Sequence, residues 1–70
     1  MRSGKTHDEW TALLTHFAQR PVTLAKYAPV SALVAQEQHM ANFLQVDRHI
    51  AYFDQDGEPA LLTLSPERKR

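Results

Sequence analysis

The stretch from Arg48 to Ser65 holds two apolar runs, Ile50 to Phe53 and Ala60 to Leu64, on either side of Asp54-Gln55-Asp56-Gly57. Asp-Gly supplies a residue that turns with positive φ at little cost, so the segment predicts a β-hairpin with strands 49–54 and 59–64. Side chains alternate across a strand. Ile50 and Tyr52 therefore share one face while Ala51 and Phe53 share the other, and Leu62 and Leu64 lie opposite Leu61 and Thr63. Both faces carry large apolar groups. An isolated hairpin is marginal in water, so the rest of the chain must cover it. The expectation is one face under helix and the other paired or dimerised.

The upstream sequence supplies the cover. Thr6 and Glu9 have the spacing of a capping box, and Trp10, Leu13, Leu14 and Phe17 follow at i, i+3, i+4 and i+7, the stripe of an amphipathic helix. Arg20-Pro21 ends it, because the residue before proline is pushed out of the helical region. This predicts a helix over 8–19. The segment 22–28 reads equally as a short strand or a short helix, and Pro29 closes either version. Ser31 is a suitable N-cap for a second helix over 31–45. Its apolar face is Val30, Leu33, Val34, Met40, Ala41 and Leu44, with Phe43 at the edge. Gln36, Gln38, His39, Asn42 and Gln45 form its polar side. The expected core joins this helix to the hairpin through Val34, Met40, Leu44, Ile50, Tyr52, Leu62 and Leu64. The class is α+β, a single small domain over 1–70 with short basic, disordered ends at 1–5 and 66–70. With 22–28 as helix, the order of elements becomes that of a winged helix, with helix 31–45 as the recognition helix.

Composition narrows the setting. Seventy residues is near the lower limit for a self-sufficient core, and there is no cysteine to staple it. Extra burial through a homodimer is the expected remedy. The lack of cysteine fits a reducing, cytoplasmic compartment, and no apolar run approaches the ~20 residues of a membrane span, so no membrane partner is expected. Formal charge is zero, yet residues 6 to 66 hold three basic side chains against seven acidic ones, with Arg2, Lys5, Arg68, Lys69 and Arg70 at the ends. The body is acidic between two basic tails.

Little in the chain points to catalysis, a cofactor or a metal. Ser3-Gly4-Lys5-Thr6 ends like a phosphate-binding loop but lacks its earlier glycine and preceding strand. His7, His16, His39 and His49 form no i, i+4 pair and no HExxH arrangement. Ser31, His39 and Asp47 make a triad only on paper, since no nucleophile elbow surrounds Ser31. Asp54, Asp56 and Glu58 lack the ligand spacing of a calcium loop and read as turn formers. An enzyme is not expected.

Val30-Ser31-Ala32, the helix running to Gln45, Ile50-Ala51-Tyr52-Phe53, Gln55-Asp56-Gly57-Glu58 and the run Pro59 to Glu67 follow one another in a familiar order. Residues 30–67 thereby resemble the N-terminal domain of the Phd/YefM family of antitoxins. The resemblance implies a dimer that binds operator DNA and represses its own transcription within a toxin–antitoxin system. Leu33, Val34, Ala35 and Gln36 stand where that family has Arg-x-Asn-Leu, and the first helix has no counterpart there. The reading this favours is a small dimeric DNA-binding regulator. Lys26 and Ser31 would hold a phosphate at the helix start, and Gln38 and Asn42 would read base edges in the winged-helix version. Arg2, Lys5, Arg68, Lys69 and Arg70 would supply the remaining phosphate contacts. The alternative is a small protein-binding modulator or inhibitor of a host factor, of phage or plasmid type, acting through its acidic body or hairpin edge.

Overall fold

The computed structural model describes residues 6–67. In chain order they form α1 (His7–His16), β1 (Thr23–Leu24), α2 (Val30–Leu44), β2 (Arg48–Phe53) and β3 (Pro59–Leu64). This is the expected α+β class, with two helices and one mixed three-stranded sheet of order β1-β2-β3. β1 runs parallel to β2, Thr23 beside Ile50 and Leu24 beside Ala51. β2 and β3 are antiparallel, from Arg48 beside Leu64 to Phe53 beside Pro59.

The capping box starts α1. Thr6 N–H donates to Glu9 Oε1 at 2.7 Å, and Glu9 N–H returns to Thr6 Oγ1 at 3.2 Å. The helix stops at His16, one turn short of the expected 19. A continued helix would aim the Phe17 carbonyl at Pro21, which has no N–H. That carbonyl takes Arg20 N–H instead, at 3.0 Å, and residues 17–20 become tight turns. Thr6→Ala is expected to lower stability by about 1 kcal/mol, read as a small shift of the urea midpoint at constant m.

Of the two readings of 22–28, the strand holds, but only for Thr23 and Leu24. The short helix a winged helix would need there is not formed. Ala25 N–H closes the edge by donating to Ala51 O at 2.9 Å. The parallel pairing follows from the intervening helix, since parallel neighbours need a crossover. α2 starts at Val30, not Ser31. Pro29 occupies the cap with no side-chain bond, and its carbonyl accepts from both Ala32 and Leu33 N–H. Ser31 thus falls inside the first turn. At the other end Gln45 closes α2 at φ 57° and ψ 45°, with its Nε2 donating to Asn42 O at 2.8 Å.

The hairpin turn uses Asp54 and Gly57. Gly57 has φ 80°, and its N–H donates to Asp54 O at 2.9 Å. Asp54 leaves the strand because its Oδ1 is engaged in the loop, accepting from Asp56 N–H and Glu58 N–H, each at 2.9 Å. β2 consequently spans 48–53 in place of 49–54.

The two faces of the sheet are covered by different helices of the same chain. On one, Trp10 and Leu13 of α1 close over Ala51, with Phe17, Val22, Leu24, Phe53 and Leu61 around them. Trp10 meets Phe53 edge to face, ring centroids 5.2 Å apart. The small side chain of Ala51 leaves room for the indole. On the other face α2 lies over Ile50, turning Leu33, Glu37 and Ala41 inward. This corrects the expected core. Leu44 is exposed, and Val34, Met40, Tyr52, Leu62 and Leu64 are only half-buried. Leu14 of the α1 stripe is also exposed. Each apolar face of the hairpin thus lies under a helix of the same chain.

Candidate functional site

The buried row of α2 has one surprise at its centre. Glu37 lies one turn after Leu33 and one turn before Ala41, and only 2% of it reaches solvent. Arg48, the first residue of β2, answers it, with Nε donating to Glu37 Oε1 at 2.8 Å while its own side chain stays 31% exposed. Gln36 Nε2 approaches the other carboxylate oxygen at 3.4 Å. A buried carboxylate is tolerable only when paired and hydrogen-bonded, so this pair fixes α2 against the sheet. The sequence signal was an acid at i+4 from Leu33 and i−4 from Ala41.

Gln38 and Asn42, the candidate base readers, are engaged by the chain's own end. Gln38 Nε2 donates to Ser65 O at 2.8 Å and to Asn42 Oδ1 at 3.0 Å. Glu67 N–H also donates to Asn42 Oδ1, at 2.8 Å, and Asn42 Nδ2 reaches Glu67 Oε1 at 3.5 Å. Residues 65–67 are thereby clipped along the flank of α2, whereas 66 and 67 were expected within a disordered end. A base edge would have to displace this clip. Lys26 is half-buried, its Nζ 5.4 Å from the ring centre of the exposed Tyr27. Ser31 is exposed in the first turn of α2. Arg2, Lys5, Arg68, Lys69 and Arg70 lie outside the described residues.

The paper triad does not assemble. Ser31 and His39 are eight residues apart on one helix, roughly 12 Å along its axis. Among the described residues no three His, Asp or Glu side chains group to hold a metal ion. No helix among them is long and apolar enough to cross a membrane.

At the C-terminal end of α2 the structure leaves three large apolar side chains in water. Phe43, Leu44 and Val46 are 75%, 45% and 46% exposed. Val46 also lines a cleft of about 390 Å³ between residues 21–23 and 46–49. Pro21, Val22 and Val46 give the cleft its apolar walls, with Asp47, Arg48 and His49 beside them. Exposed apolar groups rimmed by polar ones mark interaction surfaces. The local field is negative, because the carbonyl end of a helix carries partial negative charge. No basic residue occupies the last turn of α2, and Asp47 follows it. Residues 6–67 hold three basic side chains against eight acidic ones, and Arg48 is already paired with Glu37. The sequence placed Phe43 only at the edge of the helix face, and nothing in it linked Val46 to Pro21 and Val22.

The chain matches no family model, no curated protein and no solved structure.

Proposed function

We propose that this chain is a small homodimeric protein-binding module, a modulator or inhibitor of a basic partner protein. The carrying observation is the exposure of Phe43, Leu44 and Val46 at the negative end of α2, with Val46 also lining the 21–23/46–49 cleft. A complementary partner presents an apolar centre ringed by Lys or Arg, since like charges opposite one another would oppose docking. The test compares the wild-type chain with Phe43→Ser. Phe43 is largely in water, so the substitution is expected to move stability by no more than about 0.5 kcal/mol. A protein retained by the immobilised wild-type chain and lost from Phe43→Ser, with capture weakening as salt rises, supports the reading. Equal capture by both chains rejects it.

The DNA-binding regulator, antitoxin-like, is the second reading. The strand–helix–hairpin order of β1, α2, β2 and β3 favours it, as does a first turn of α2 with neither an acid nor a side-chain cap. Against it stand the clip on Gln38 and Asn42 and the acidic body. A mobility-shift series on random duplex at rising salt separates the two. The protein-binding module leaves the duplex unshifted at low salt. A shift whose log affinity falls steeply with log salt, and flattens when residues 66–70 are removed, would put the DNA reading first.

A further inference from the structure

β3 is an edge strand, and the backbone groups it turns outward can be assigned. Asp54 N–H donates to Glu58 O, and antiparallel pairs alternate between bonded and non-bonded. The bonded pairs are therefore Tyr52/Ala60, Ile50/Leu62 and Arg48/Leu64 in the observed register. An independent contact agrees, because Ala51 O accepts from Ala25 N–H on the β1 side and so faces away from β3. Pro59, Leu61 and Thr63 thus direct their backbone groups away from the sheet. Pro59 sits where a missing N–H costs the ladder nothing. The outward inventory is two donors, Leu61 and Thr63, and three carbonyls, of Pro59, Leu61 and Thr63. Among the described residues no strand pairs with them.

We propose that β3 pairs antiparallel with β3 of a second copy, with Leu61 opposite Leu61 on the two-fold axis, giving a continuous six-stranded sheet. In this register Leu61 N–H and C=O of each copy bond those of the other, and Thr63 N–H of each bonds Pro59 O of the other. Every outward donor of the strand is used. The one carbonyl left over, of Thr63, faces the proline that has no donor. Charge agrees with the register. Pro59 to Pro66 carries no charge in a body with excess acid, and Glu58 falls opposite Leu64 of the partner, so no acid meets an acid. Leu61, Leu62 and Leu64 are half-buried while Ile50 and Ala51 of the central strand are fully buried, so a further strand covers leucine surface that the monomer leaves wet. The chain turns toward α2 at Ser65, which ends the pairing strand and disfavours registers centred nearer the C-terminus. The pairing specifies the homodimer of the reading above and rests on it. It does not involve Phe43 or the cleft, so failure of partner capture and failure of dimerisation show in different experiments.

The experiment is sedimentation velocity across a concentration series, with residue-resolved amide exchange, on the full chain. The wild-type chain is expected to be a dimer at tens of micromolar, with Leu61 and Thr63 amides protected along with those of Ala60, Leu62 and Leu64. Thr63→Pro removes an outward donor and should leave the inward ladder intact, weakening the dimer about a hundredfold through two lost bonds. Thr63→Val loses the hydroxyl that meets His49 Nδ1 at 3.1 Å but keeps the amide, and should dimerise as wild type. A monomeric wild type, or a dimer in which the Leu61 and Thr63 amides exchange freely, overturns the proposal. Those wild-type readings decide it even where Thr63→Pro does not fold.

Discussion

Leu13→Ala is expected to destabilise the protein by about 3 kcal/mol, within the usual range for truncating a buried leucine. Leu13 is 1% exposed and stands with Trp10 and Ala51 at the centre of the α1 side of the sheet. α1 has one helical face on that sheet, and a chain without cysteine has no disulfide to hold it. The cavity would open where Ala51 is too small to fill it. A core of this size rarely supplies more than ~3–5 kcal/mol in all, so the variant should be largely unfolded or molten at 25 °C. Urea titration followed by tryptophan fluorescence reads this directly, because Trp10 is the only tryptophan. A cooperative transition displaced by less than about 1 kcal/mol would mean that α1 contributes little to stability. By the same reasoning Leu62→Ala, on a half-buried edge strand, should cost less than Leu13→Ala.

The second large effect concerns Glu37 and Arg48. Arg48→Met removes the partner of a buried carboxylate and is expected to cost about 3 kcal/mol, the lower end for a broken buried pair. It falls at that end because Arg48 is 31% exposed, and water at that side offers partial compensation. Glu37→Leu with Arg48→Met replaces both charges by apolar groups of similar length. The double variant should recover the loss or exceed wild-type stability, since such replacements are often neutral or stabilising. Chemical denaturation of the two single variants and the double variant closes the cycle. If Arg48→Met alone is neutral, the pair does not hold α2 on the sheet. If the double variant is no better than Arg48→Met, the loss comes from packing and not from an orphaned charge.

Elements governed by neighbours a few residues away were legible in the sequence. The capping box at Thr6 and Glu9 starts α1, and Asp54 with Gly57 turns the hairpin, because those groups bond within three or four residues. The α2 and β2 limits moved by one residue for equally local reasons, the preset φ of Pro29 and the Asp54 side chain. The segment 22–28 was not decided locally. Two residues become strand only because Ile50 and Ala51 lie beside them.

The candidate site was mostly illegible for the same reason. The polar face of α2 suggested Gln38 and Asn42 as groups offered to a partner, but their partners are Ser65 and Glu67, 27 and 25 residues away in sequence. Periodicity cannot distinguish a wet helix face from one clipped by a distant strand end.

By itself the sequence determined the α+β class, the hairpin, its two apolar faces and the uncharged run from Pro59 to Pro66. Each depends on residue type and spacing alone. Only the tertiary structure decided that α1 and α2 take opposite faces of the sheet. It likewise placed Glu37 in the buried row against Arg48, put Phe43 and Val46 in water, and left the outer side of β3 unpaired among the described residues. Burial is a property of the whole packing. A side chain within an apolar stripe becomes core, pair or surface according to which distant element comes to lie over it.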